Sequence, residues 1–121
     1  MHLTLSIIFT ILGCYGYSSS IIKLNKFLHL KTGVSYLGSG RIFVAGELIG
    51  HPEFKQFEQI PINDDDIRAA NCIRVNKTLI MPKCSNHYMK IVQDLDLNIV
   101  TVDLSEFQKI DGGLSCLSLR F

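Results

Sequence analysis

The order strand, strand, helix, strand occurs twice along this chain, and that repetition constrains the fold more than any other feature. In the first copy, "HLKTGVSYL" and "RIFVAG" are separated by Gly38-Ser39-Gly40, which is a hairpin signal. "HPEFKQFEQ" (His51–Gln59) is predicted as a short helix with Pro52 in its first turn, and "QIPI" as a strand ending at the acidic loop "NDDD". In the second copy, "ANCIRV" and "TLIMP" form a hairpin across Asn76-Lys77. Ser85 is placed to cap a helix carrying Tyr88, Ile91, Val92 and Leu95 on one face, and "NIVTVDL" (Asn98–Leu104) follows as a β-branched strand. "LSCLSLRF" then reads as the opening strand of a third copy with no remainder. Repeats of this kind bury their apolar faces against neighbours, so the expected fold is α/β, with a last strand that needs a partner.

The segment before the first copy is ambiguous. Leu5, Ile8, Phe9 and Leu12 fall at i, i+3, i+4 and i+7, the stripe of a packed amphipathic helix, and Gly16 sits where such a helix stops. "SSIIKL" (Ser19–Leu24) reads as a buried strand. The alternative is a secretory or lipoprotein leader ending at "ILGC", with lipid on Cys14 and glycosylation at Asn76. No Lys or Arg precedes the apolar run, which argues against a leader, and the run is too short and interrupted to span a bilayer.

The 121 residues allow one ordinary domain. Apolar residues make up 47% and charged residues 19%, a balance that suits a well-buried globular protein and argues against disorder. A net charge of +1 without any basic block gives no reason to expect nucleic acid or a membrane as partner. Cys14, Cys72, Cys84 and Cys116 form no CxxC pair and read as free thiols of a reducing, cytoplasmic compartment. Cys84-Ser-Asn-His87 is half a metal site without a second half, and Asp64–Asp66 lacks the glycine and glutamate of a calcium loop, so no metal is expected.

Two residues stand out as chemistry. Cys116 follows Asp111-Gly112-Gly113, where glycines let a chain turn sharply and let another molecule approach the backbone. A cysteine attacks as thiolate, so it needs a lowered pKa or a base nearby. His29 opens the first copy at about the place Cys116 holds in the unfinished third, and copies arranged around an axis bring equivalent positions to one centre. Histidine suits proton transfer near neutral pH. Asp111 is placed to bind a cationic group beside the thiol.

"LHLKTG", "AANCIRV" and "VDLSEFQKIDGGLSCLSLRF" together resemble the dimethylarginine dimethylaminohydrolases, relatives of the arginine deiminases and amidinotransferases. The resemblance runs from about Ser19 to the end. It implies a pentein-type α/β propeller of five units, of which residues 1–121 are the C-terminal half: two complete units and the first strand of another. It further implies Cys116 as nucleophile, His29 as general acid/base, and a backbone carbonyl at Ile110 holding the substrate's α-amino group. The implied reaction converts dimethylarginine to citrulline and dimethylamine through a covalent thiouronium, with no cofactor. The family's guanidinium clamp and carboxylate-binding arginines belong to the N-terminal half, so the chain alone is expected to be weak or inactive. An arginine deiminase-like enzyme is the rival within the class; Lys31 after "HL", where deiminases commonly carry an acidic residue, speaks against it. A non-catalytic half-propeller that pairs with a separate N-terminal polypeptide, or a homo-oligomer, is the rival outside it.

Overall fold

The computed structural model describes residues 2–119, with side chains from Ile7 onward. Strands β1 (Val34–Gly38) and β2 (Arg41–Ala45) form an antiparallel hairpin, and β2 then pairs in parallel with β3 (Glu58–Ile62). The hairpin turn needs left-handed backbone at three successive residues, with φ of 96° at Gly38, 52° at Ser39 and 74° at Gly40, which explains the glycines flanking it. Strands β4 (Ile73–Val75), β5 (Thr78–Pro82) and β6 (Asn98–Val102) repeat the plan, antiparallel and then parallel, each sheet ordered as its strands occur in the chain. The strand order of the repeated unit read from the sequence is therefore present twice.

Helix α2 (Asn86–Asp94) makes the crossover in the second unit and buries Tyr88 and Val92. Ser85 occupies the position before its first turn, although its side chain makes no capping bond. The first unit differs from expectation. Instead of a helix over His51–Gln59 it has one 3-10 turn, Pro52–Phe54, opened by proline and capped by His51 Nδ1, which accepts the Glu53 N–H at 3.2 Å. Pairing with β2 claims the chain from Glu58, leaving too few residues for a longer helix.

The two units share a core. Leu37, Phe43, Ala45 and Ile62 on one face of the first sheet pack against Leu79, Met81, Tyr88 and Val92 of the second unit. The rings of Phe43 and Tyr88 meet edge to face at 6.2 Å. The other face of the first sheet, Ile42 and Val44, lies under Leu48, Phe54 and Phe57 and under Ile22, Leu24, Phe27 and Leu30. The expected strand at Ser19–Leu24 is thus not a strand. Ile22 and Leu24 cover a sheet face without backbone pairing, while Ile21 stays exposed.

Register places Ile73, Ile80 and Val100 in one row of the second sheet, as Ser35, Phe43 and Ile60 are in the first. In the first unit Phe43 is fully buried by the neighbouring unit. In the second, Val75 and Val100 on that same face are 41% and 48% exposed. Among the described residues that apolar sheet face is left partly open.

Helix α1 (His2–Cys14) ends as expected: Gly16 takes φ 79° and the Tyr17 N–H reaches the Leu12 carbonyl at 3.0 Å. It is not the packed helix the stripe suggested, since Ile7, Ile8 and Ile11 are each about half exposed. Ile7 and Ile11 extend the apolar surface around the helix, so the stripe does not define a single face; the Leu5 side chain lies outside the described residues. Among the described residues no helix is long and apolar enough to cross a membrane. At the other end, helix α3 (Ser105–Gln108) leads to a 3-10 turn at Ser115–Leu117, where a strand was expected; Arg120 and Phe121 lie outside the described residues.

Candidate active site

His29 stands in extended backbone at the entrance to a 3-10 turn, Leu30–Thr32, and its carbonyl accepts the Thr32 N–H at 3.1 Å. Its loop is tied down from behind by one carboxylate. Glu47, just past β2, accepts backbone N–H groups from Asn25 at 3.0 Å, Lys26 at 2.6 Å and Phe27 at 3.0 Å. Those bonds, that from Lys26 foremost, hold the Glu47 carboxyl below its ordinary range. Beneath the loop, the Phe27 ring fills the space a side chain at Gly33 would need, a Cβ there lying 2.8 Å from both Phe27 and Leu48.

Cys116 is presented by the 3-10 turn after α3. Asp111 takes φ 60°, and the Gly112 N–H closes onto the Phe107 carbonyl at 2.8 Å. The glycines here serve close packing. A Cβ at Gly112 would stand 3.0 Å from the Phe107 oxygen, and one at Gly113 would stand 2.1 Å from the Asn71 side-chain nitrogen. The Ser115 N–H donates to Asn71 Oδ1 at 3.2 Å, and the Cys116 N–H to the Gly113 carbonyl at 3.2 Å.

His29 and Cys116 line one cleft of about 320 Å³. Both residues are exposed. Asp111 lines the cleft as well, with Lys26, Arg68 and Gln108 adding polar groups and Phe27, Leu104 and Leu114 apolar wall. Ile110 does not line it; the residue sits beside Asp111 with 78% of its surface exposed. Asn71, Arg68 and Glu47 were not singled out from sequence. Only the motif "AANCIRV" pointed near Asn71, and nothing local marks Glu47, whose partners are 20–22 residues away.

All four cysteines are free thiols. Burial, and then the neighbouring Cys84, push the Cys72 thiol far up, and burial followed by Asp66 raises that of Cys84. Neither suits a nucleophile at neutral pH. Cys14 is exposed but lies outside the cleft. Among the described residues no group of three or more His, Cys, Asp or Glu is gathered to hold a metal. A thiol and an imidazole facing a common open space can perform covalent displacement with proton transfer.

No family model matches the sequence. Among curated proteins, the N(G),N(G)-dimethylarginine dimethylaminohydrolase of Pseudomonas aeruginosa is 45% identical over 111 residues, 92% of this chain and 44% of that one. The enzyme of that name from Streptomyces coelicolor is 29% identical over 100 residues, 82% of this chain and 38% of the other. The chain spans less than half the length of these relatives. Among solved structures, a cysteine-to-serine mutant of the Pseudomonas aeruginosa enzyme complexed with citrulline superposes with TM-score 0.91 at 42% identity, over 96% of this chain and 46% of that one. A dimethylarginine dimethylaminohydrolase with histidine replaced by glycine, an adduct with S-methyl-L-thiocitrulline, also gives 0.91 at 42% identity, over 97% of this chain and 46% of that one. A cyanobacterial arginine dihydrolase domain, 23% identical with TM-score 0.68 over 76% of this chain and 37% of its own, shares the fold. The architecture is thus that of the pentein-type α/β propellers, in part.

Proposed function

Because this chain belongs to the dimethylarginine dimethylaminohydrolase family along the segment it spans, we propose that it supplies the nucleophile and the acid/base of an amidine hydrolase. Its substrate is dimethylarginine, and its products are citrulline and dimethylamine. The observation that carries this reading is the shared cleft of His29 and Cys116. A second supports it: the substituted cysteine and histidine of the two related structures are numbered 87 apart, the interval between His29 and Cys116 here.

The Cys116 thiolate adds to the guanidinium carbon, forming the C–S bond. Protonated His29 donates its proton to the departing nitrogen as the C–N bond breaks, releasing dimethylamine and leaving a thiouronium. Neutral His29 then takes a proton from water as the water oxygen adds to the same carbon. Loss of the C–S bond returns the thiolate, and the urea oxygen gives up its remaining proton to solvent as citrulline leaves. Two smaller barriers replace one large one, which is what a covalent intermediate contributes. No cofactor enters these steps. Asp111, at the cleft wall, and the Ile110 carbonyl beside it are assigned to the substrate's amino-acid end.

Residues 1–121 make up the C-terminal half of the propeller in this reading. The open face of the second sheet, carrying Val75 and Val100, receives the rest of the ring, either on the same polypeptide or on a separate one. Orientation of both reactants is worth several kcal/mol of barrier or more, so the 121-residue chain by itself turns over slowly. Four free thiols fit a cytoplasmic setting. The test is citrulline release from dimethylarginine by the purified chain, alone and with a family N-terminal half. Release that persists in Cys116→Ser, or no release in either condition, refutes the proposal.

A further inference from the structure

The turn that bears Cys116 is held by a residue 44 positions earlier in the chain. Asn71 lies between the two units, and only 4% of its surface is exposed. Its Oδ1 accepts the Ser115 N–H at 3.2 Å, and its amide nitrogen occupies the space that any side chain at Gly113 would fill. One side chain therefore contacts the Cys116 turn on both sides of Leu114, and it also lines the cleft.

Asn71 is itself held. Ser35 on β1 donates its hydroxyl proton to the Ala70 carbonyl and accepts the Cys72 N–H at 2.9 Å, gripping the backbone immediately before and after Asn71. The Ser35 side chain is buried, so these bonds do not compete with bulk water. A continuous path runs from the first sheet through the inter-unit linker to the turn presenting the thiol.

We infer that Asn71 is the positioning residue for Cys116, setting where the thiol stands in the cleft, with Ser35 fixing Asn71 in turn. This deepens the hydrolase reading and rests on it for the chemistry of the thiol. An asparagine suits the place because Oδ1 must accept while the other amide atom packs on bare glycine. Alanine leaves the Ser115 N–H without its partner. Aspartate keeps an acceptor of the same shape.

The experiment uses the full chain with His29→Gly. That change removes the proposed base for hydrolysis, so an adduct formed from S-methyl-L-thiocitrulline should persist on Cys116. Methanethiolate leaves as the thiolate adds, and no acid is needed. Adduct formation on Cys116 is followed by peptide mass spectrometry beside alkylation by iodoacetamide, and amide exchange is read at Ser115. Asn71→Ala should slow adduct formation about tenfold while iodoacetamide alkylation changes less than threefold, and it should speed Ser115 exchange about tenfold. Those changes correspond to loss of one hydrogen bond. Asn71→Asp should recover both.

A purely structural role would move the two alkylation rates together, or neither. Unchanged adduct formation and unchanged Ser115 exchange in Asn71→Ala overturn the inference. Absence of any adduct with Asn71 intact, both for the chain alone and with a family N-terminal half added, overturns the hydrolase reading instead, while Ser115 exchange still decides whether Asn71 holds the turn.

Discussion

Replacing Gly38 with alanine should loosen the seam between the two units, and the structure indicates by how much. Gly38 has φ 96°, and a Cβ there would fall 1.3 Å from Arg74 Nη1 and 2.5 Å from its Cζ. The Arg74 guanidinium must leave. In its present place Nη1 donates to the Leu37 carbonyl of the first hairpin at 2.8 Å, and Nε to the Asn76 carbonyl of the second at 2.8 Å. Holding an L-residue in left-handed backbone costs about 1–2 kcal/mol. Loss of a hydrogen bond from a charged donor to a part-buried carbonyl costs about 1.5–3 kcal/mol. Gly38→Ala should therefore destabilise by about 2.5–5 kcal/mol, and Arg74→Ala by about 1.5–3 kcal/mol. With Arg74 already removed, Gly38→Ala should cost only the backbone part, about 1–2 kcal/mol. Urea unfolding of the parent, both single variants and the double variant gives the coupling directly. The reasoning is refuted if Gly38→Ala costs the same in both backgrounds, for then the guanidinium was not displaced.

Gly113→Ala should expel the Asn71 side chain and slow adduct formation at Cys116 about as much as Asn71→Ala does, since both remove the same contact; parent-like reactivity would contradict this. Tyr88→Phe should cost about 1 kcal/mol in urea unfolding, because Tyr88 Oη accepts the Asn63 N–H at 2.8 Å while its ring stays packed on Phe43. The Glu47 carboxyl is held below its ordinary range near 4.5 by the Lys26, Phe27 and Asn25 amides. Its anchoring is therefore complete above pH 4.5 and is lost as pH falls through the lowered folded value. Amide exchange at Lys26 and Phe27, corrected for intrinsic rates, should rise on acidification in that window. In Glu47→Gln it should be fast already at pH 7, and protection equal to the parent's would count against the anchor.

The elements that could be read from sequence are those whose causes are local. Gly38-Ser39-Gly40 states its turn through backbone freedom, Gly16 stops α1, and the β-branched run of β6 needs no distant information. Ser19–Leu24 shows the limit of that signal. Its aliphatics demand burial, and a sheet face serves as well as a strand position, so composition alone does not decide between them. At Pro52 the sequence marks where a helical turn starts and is silent about where β3 ends it. The cleft was legible through the equivalent places of His29 and Cys116 in the repeat and through the resemblance carried by distant motifs. No spacing rule links His29 to Cys116, and the apolar stripe of α1 did not reveal that Ile7, Ile8 and Ile11 stay about half exposed. Asn71 and Glu47 could not have been found locally, because each acts on backbone groups 20 or more residues away.

The central claim, that Cys116 attacks a guanidine-type carbon and His29 is needed to complete hydrolysis, is tested most directly by intact-mass and peptide mass spectrometry of the chain after incubation with S-methyl-L-thiocitrulline. The account predicts a single lasting adduct in His29→Gly, located on Cys116 and absent when Cys116→Ser is added, with little or none retained when His29 is present. Modification of Cys14 in place of Cys116, or equal retention with and without His29, would contradict it.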